Sequence, residues 1–286
     1  MKKHLYFPGC SLKGSGRAYE ESFLAVSRAL GLEMRELEDW NCCGATAYMS
    51  VDETKSYALA GRNLAIAERE DLDVVAPCSA CYLVLNKTQH ALQDHPELRA
   101  KVVKALKAGG LDYKGTVKVR HPLDVMINDV GLDKISKLIK NPLKGLKLAS
   151  YYGCQIVRPY ATFDDQHDPV TMDKLMIAAG AECVPWPLKT RCCGGSLTGT
   201  VPDAGLRLAY ILIKEAQKRG AGAIVTLCPL CQFNLDGYQD QMAGKYEKVK
   251  MPVLYFTQVL GLALGLSESE LGIKRGIISA KAALAR

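Results

Sequence analysis

The sequence has no apolar run long enough to cross a membrane. Its longest, Val253–Leu266, is interrupted by Thr257 and Gln258 and falls short of the ~20 residues a spanning helix needs. The opening MKKHLYFPGC reaches Pro8 after a few apolar residues, too few for the core of a secretory signal. The chain is therefore expected in the cytoplasm, without a transmembrane segment. No GxGxxG follows a β-prone run, so the flavin and nicotinamide fingerprint is missing, and any electrons must enter from another protein. Aromatic residues make up only 7% and no basic stripe interleaves with them, which argues against nucleic-acid binding. Low-complexity tracts are absent as well. What is present, 48% hydrophobic and 23% charged residues in 286, is a folded chain large enough for one large or two ordinary domains.

Cysteine is the residue in excess. There are eleven, and in a reducing compartment clustered cysteines bind metal or do redox chemistry more often than they form disulfides. Ten of them fall into two copies of one pattern. Cys10 is followed by Cys42-Cys43-Gly44 and then Cys78-x-x-Cys81; Cys154 is followed by Cys192-Cys193-Gly194 and then Cys228-x-x-Cys231. In both copies the vicinal pair and its glycine are followed, across the same separation, by the CxxC pair. The flanks repeat too: HLYFPGC matches LASYYGC, LDVVAPCSAC matches GAIVTLCPLC, and VKVRHPLDVMINDVGL resembles MPVLYFTQVLGLALGL. Such self-similarity marks an internal duplication.

β-Branched runs alternate with helical periodicity over Tyr19–Leu30, Lys55–Arg69 and Ala204–Lys218. This pattern predicts an α/β fold of two pseudo-symmetric domains, residues 1–145 and 146–286, each a mostly parallel doubly wound sheet flanked by helices. Lys137–Lys147, with Asn141-Pro142 and Gly145, reads as the linker. The cysteines then fall at the carboxyl ends of strands, where open α/β sheets bind their ligands.

Five thiols per half admit three readings. Structural zinc takes four ligands and would leave one idle, although one half could hold it. A thioredoxin-type exchange site would use only the CxxC pairs. Iron–sulfur ligation uses thiolates throughout. The tight CxxCxxC run of bacterial ferredoxins is absent, so a cluster here would be of another kind.

The duplicated CCG signature, spread over essentially the whole chain, resembles the B subunit of heterodisulfide reductase. The resemblance implies two noncubane 4Fe–4S clusters, each a pair of fused smaller clusters. The first would be held by Cys10, Cys42, Cys43, Cys78 and Cys81, and the second by Cys154, Cys192, Cys193, Cys228 and Cys231. It further implies a disulfide substrate lying between the clusters and split homolytically, one sulfur going to each. In methanogens that substrate is the heterodisulfide of coenzyme M and coenzyme B; the segments YFPGCSLKGSGRAYEES and NCCGATAYMS look closer to bacterial versions acting on another disulfide or thiol. The implied partners are a small ferredoxin-like protein and a flavin-containing, electron-bifurcating one, the other two components of a heterodisulfide reductase-type complex. The competing reading is an electron-transfer component of a larger flavin-based or sulfur-metabolising complex. A sealed pair of clusters would favour conduction and an open cavity between them catalysis.

The formal net charge of +7 would mostly offset such clusters: two cores of about +2 each and ten thiolates add about −6. Among other candidates, His121 follows a strand end and could face substrate or donate a proton, though a buried or loop histidine explains it as well. His167 carries the same ambiguity. Lys189 and Arg191, just before Cys192, could hold an acidic substrate or steady an anionic cluster, or be surface charge. Cys183 stands outside both repeats and reads as a small buried hydrophobe. Gly44 and Gly194 read as turn glycines that let the backbone come close to cluster sulfide and hydrogen-bond it.

Overall fold

The computed structural model describes residues 2–45 and 47–285. Thr46, within the NCCGATAYMS segment, lies outside the described residues, as do Met1 and Arg286. Among the described residues, eight short strands form two four-stranded sheets. The first contains β1 (Lys2–Tyr6), β2 (Leu32–Glu36), β3 (Val74–Val75) and β4 (Val119–Arg120) in the order β2-β1-β3-β4; the second contains β5 (Lys147–Tyr151), β6 (Glu182–Cys183), β7 (Ala223–Thr226) and β8 (Val253–Tyr255) in the order β6-β5-β7-β8. Every pairing between them is parallel. Parallel strands require crossover connections, and helices supply most of them. The expected α/β duplication is thus observed.

The predicted helices form at Arg17–Ala29, Glu53–Glu68 and Pro202–Lys218. In the first, Tyr19, Ser22, Phe23 and Val26 recur at helical spacing and are buried. The second starts where the Asp52 carboxylate accepts the Lys55 amide at 3.0 Å. The third has Pro202 at its first turn, where no amide hydrogen bond is lost. The proposed linker is more ordered than its composition suggests. Its first residues end the Leu132–Leu138 helix; the Lys140 and Asn141 amides donate to the Ala263 carbonyl, and the Leu143 amide to that of Ala179. Leu143 is buried, and Gly180, at φ +87°, leaves room for it: a Cβ there would lie 2.9 Å from the Leu143 nitrogen.

Each sheet reverses its strand order beside its first strand. The crevice at such a switch point, outside the carboxyl ends, is where open α/β sheets take ligands. Cys10 follows β1, the Cys42–Cys43 pair follows β2 and Cys78 follows β3; Cys154, Cys192–Cys193 and Cys228 occupy the same places after β5, β6 and β7. After β4 stands His121, and after β8 stands Phe256.

The two halves share one hydrophobic core. The Arg17–Ala29 helix packs on the Phe256–Ala263 helix, with the Ser22 and Thr257 hydroxyls 2.7 Å apart and the Tyr19 and Tyr255 rings stacked at 4.4 Å and 7°. In return, the irregular segment 154–170 lies on the first half. There Tyr160 stacks on His90 at 4.2 Å, Thr162 hydrogen-bonds the Tyr82 hydroxyl, and Phe163 lies nearly parallel to His121 at 6.4 Å. Thus the stretch following each half's first cysteine is laid across the other half.

Candidate functional site

The ten repeat cysteines are brought together in two groups, each with a buried and an exposed side. In the first, Cys43, Cys78 and Cys81 are buried while Cys10 and Cys42 are exposed; in the second, Cys193, Cys228 and Cys231 are buried, Cys154 is half-buried and Cys192 exposed. The Sγ atoms of Cys43 and Cys81 lie 3.3 Å apart, and those of Cys193 and Cys231 lie 3.5 Å apart. Cys78 and Cys228 each stand at the start of a helix, Ser79–Asp94 and Pro229–Gly237, where the amide dipoles favour a thiolate. The Cys78 and Cys228 thiols influence each other's protonation across the two halves.

Backbone geometry makes the crowding possible. Gly9 and Gly153, immediately before Cys10 and Cys154, have φ of +63° and +73°; a Cβ on either would stand 2.8 Å from Cys81 Sγ or 3.2 Å from Cys231 Sγ. Gly44 and Gly194 also have positive φ, but the close approach they permit is to a neighbouring helix: a Cβ on Gly194 would meet the Gly205 carbonyl at 2.8 Å and one on Gly44 the Ser56 hydroxyl at 3.1 Å. The amides of this turn do face sulfur, Gly194 donating to Cys192 and Gly195 to Cys193, both at 3.3 Å. Asn234 clamps the turn by donating to the Cys193 carbonyl at 2.8 Å. In the first half the Asn41 and Asn63 pair does similar work, with bonds of 2.9 and 3.0 Å.

The thiols share protons. Hydrogen bonds with Cys42 and then Cys81 pull Cys43 down to about 4, and Cys42 and Cys81 are pushed up in turn. Cys192 is lowered to about 6, first by its bond with Cys154, then by the Gly194 amide and the Arg158 charge, while Cys154 rises. Cys228 is lowered by the Cys231 and Cys78 thiols, which rise; the bond to Cys193 is the largest cause for Cys231 and that to Cys228 for Cys78. Sulfurs this close cannot all carry charge unless a cation is shared among them.

Several hydroxyls nearby are buried without hydrogen-bond partners among the described residues: Ser79, inside the first CxxC; Ser56, facing Gly44; Thr226, two residues before Cys228; and Tyr19. Buried hydroxyls normally find an acceptor. Orphan donors around crowded thiols fit a sulfide-rich anionic group with many acceptor sites. No set of three or more His, Cys, Asp or Glu side chains among the described residues is arranged to hold a single metal ion; the donor set is larger than one ion takes.

The other sequence candidates lie elsewhere or act differently. His121 is fully buried, its Nε2 3.0 Å from the Pro77 carbonyl and its Nδ1 accepting the Leu123 amide at 3.1 Å. Burial drives it down to about 4, so the ring is neutral and clamps the loop before Cys78. His167 is exposed and, with Asp168, Trp186, Lys189 and Arg219, lines an open cavity of about 460 Å³ that none of the ten cysteines borders. Lys189 is committed to Asp168 at 3.1 Å, Asp173 at 3.4 Å and the Pro169 carbonyl at 2.9 Å. Arg191 is exposed, and its carbonyl accepts from the Tyr151 hydroxyl at 2.6 Å. Cys183 sits in β6, its sulfur 3.6 Å from the Ser150 hydroxyl, and burial raises it to about 11.

The sequence reading missed Arg158, whose guanidinium donates to the Thr190 carbonyl and whose charge acts on Cys192; its Nε is buried and has no partner among the described residues. It also missed Gly9 and Gly153, although a glycine before the first cysteine of both repeats was a usable signal.

Comparison with known proteins places the chain in a family. The cysteine-rich domain family CCG matches residues 4–86 and again 148–236. The membrane anchor subunit of 8-methylmenaquinol:fumarate reductase from Wolinella succinogenes is 34% identical, the match covering 98% of each chain. The B subunit of ferredoxin:CoB-CoM heterodisulfide reductase from Methanosarcina mazei is 31% identical over 97% of this chain and 94% of its own. A protein from Archaeoglobus profundus, named for its likeness to the B subunit of heterodisulfide reductase, is 33% identical over 93% and 91%. Among solved structures, a hypothetical protein from Helicobacter pylori shares the fold with a TM-score of 0.77 at 14% identity; 97% of this chain is covered, which spans about half, 52%, of that one. No helix among the described residues is long and apolar enough to cross a membrane.

Proposed function

Because the chain belongs to the CCG cysteine-rich domain family and is a relative of the heterodisulfide reductase B subunits over nearly its whole length, we propose that it is the disulfide-reducing component of such a complex. In this reading each half, residues 1–145 and 146–286, holds one noncubane 4Fe–4S cluster on its five cysteines. The observation that carries the reading is two matched cysteine groups at the switch points of two matched sheets, each with its vicinal cysteine against a CxxC sulfur. When bound, the pair of clusters supplies one electron to each sulfur of a disulfide.

The residues of the chain have separate tasks in that reading. Cys10, Cys42 and Cys192 form the exposed sides of the two groups and give a small disulfide or thiol its approach. Gly9 and Gly153 leave the space the buried sulfurs need. The Gly194 and Gly195 amides and the helix starts at Cys78 and Cys228 steady negative charge on sulfur. Arg158 places a positive charge beside Cys192. Electrons would come from a small ferredoxin-like partner and a flavin-containing one.

The second reading, an electron-transfer component of another redox complex, is favoured by the relative named as a fumarate reductase membrane anchor. One experiment separates them. The protein, purified anaerobically, is analysed for iron and acid-labile sulfide and then assayed with a reduced viologen and a panel of small disulfides. About eight iron per chain with disulfide turnover supports the proposal. The same iron without turnover, but with electron transfer to a partner protein, supports the second reading. One or two zinc and no sulfide overturns both.

A further inference from the structure

Tyr19 lies on the Arg17–Ala29 helix with no exposed surface, and its hydroxyl has no hydrogen-bond partner among the described residues. An unpartnered buried hydroxyl is costly, and here it stands on a ring held from two sides. Tyr255 of the other half stacks on it at 4.4 Å, and Phe256 meets it edge-on at 6.1 Å. The Tyr255 hydroxyl differs: it donates to Gln232 Oε1 at 3.3 Å. Geometry sets the Tyr19 ring beside the second CxxC: Tyr255, on which it stacks, pairs with Thr226 two residues before Cys228, and a Cβ on Gly16, three residues before Tyr19, would lie 3.0 Å from Pro229 Cβ; the charges of Cys228 and Cys78 bear on its hydroxyl. Tyr19 is thus a rigidly held donor without an acceptor among the described residues, placed where the two halves pack beside the cysteines.

We propose that Tyr19 donates a hydrogen bond to sulfur at this junction and thereby raises the reduction potential of the iron–sulfur groups held there. The inference rests on the iron–sulfur reading above. A hydrogen bond to thiolate or sulfide draws off electron density, which favours the form carrying one more negative charge. No bond is broken and no proton transferred; the hydroxyl stays a donor in both oxidation states.

The test is a redox titration, followed by electron paramagnetic resonance, of the anaerobically purified full chain and its Tyr19→Phe and Tyr255→Phe variants, each with iron and sulfide counted. Tyr19→Phe keeps the ring and deletes the donor. It should retain its iron while the reduced fraction at fixed ambient potential falls about tenfold relative to the oxidised, a shift of about 59 mV for one electron. Tyr255→Phe, which loses a hydroxyl already satisfied by Gln232, should titrate like the unaltered protein. Tyr19→Met fills a similar volume without a donor; it should shift in the same direction and serves if the phenylalanine variant misfolds. Equal potentials in loaded Tyr19→Phe and unaltered protein overturn the assignment while leaving the iron–sulfur reading intact. An equal shift in Tyr255→Phe also overturns it, because loss of a hydroxyl already bonded to Gln232 would then act as strongly, and the effect would not come from a donor to sulfur. Unaltered protein without iron and sulfide overturns both.

Discussion

The vicinal cysteines Cys43 and Cys193 each contact a CxxC sulfur, at 3.3 and 3.5 Å. Replacing either by serine should empty its own group while leaving the other, so iron analysis should find about half the full content and one of two spectroscopic signals lost. Gly9 and Gly153 give a graded version of the same experiment. An alanine at positive φ costs roughly 1–2 kcal/mol, and at Gly9 the new Cβ would also stand 2.8 Å from a sulfur, against 3.2 Å at Gly153. Gly9→Ala should therefore lose more iron than Gly153→Ala, each from its own half. His121 makes a pH prediction. Its ordinary value of 6.5 is lowered to about 4 by burial, so between those values the unfolded chain binds the extra proton and stability falls as the pH falls. The ring should cost about 3 kcal/mol on acidification across that window. His121→Gln removes the titration and retains a donor for Pro77, so chemical unfolding at several pH values should show a flatter dependence for the variant than for the unaltered chain.

At the scale of elements, what could be read from sequence was whatever repeats. The ten cysteines and the helices Arg17–Ala29, Glu53–Glu68 and Pro202–Lys218 carry their periods in the residues themselves, and the parallel sheets follow from the alternation of the two patterns. The segment 154–170 carries none: RPYATFDDQHDPV has neither helical nor strand spacing, and its order comes from Tyr160 on His90 and Phe163 beside His121, which no local pattern encodes. Tyr19, Arg158 and the clamp of His121 on Pro77 were illegible for the same reason, since each is defined by residues far away in the chain; the burial of His121 itself was one of the readings its sequence offered. The anchoring of Leu143 within the linker was illegible too, because it comes from tertiary packing rather than from the local Pro142 and Gly145 signals. Tyr160→Ala removes a stacked ring pair of about 1 kcal/mol. It should speed the loss of iron from the Cys154 group under air, measured as bleaching rate, more than from the Cys10 group.

The whole molecule is two similar halves closed into one core. Calorimetry should record a single unfolding transition, and residues 1–145 expressed alone should self-associate, because Tyr19, Ser22 and His121 would lose their covers from Tyr255, Thr257 and Phe163. A monodisperse, cooperatively folded fragment would contradict this.

The reciprocal wrapping also bears on how such a duplicated gene can change. Each copy covers part of the other's core, so neither can drift alone: a substitution at Tyr255 is felt at Tyr19, and one at Phe163 is felt at His121. Chimeras joining the front of one homologue to the back of another should fail unless both covers come from the same parent, and natural lineages should inherit the two as a matched set.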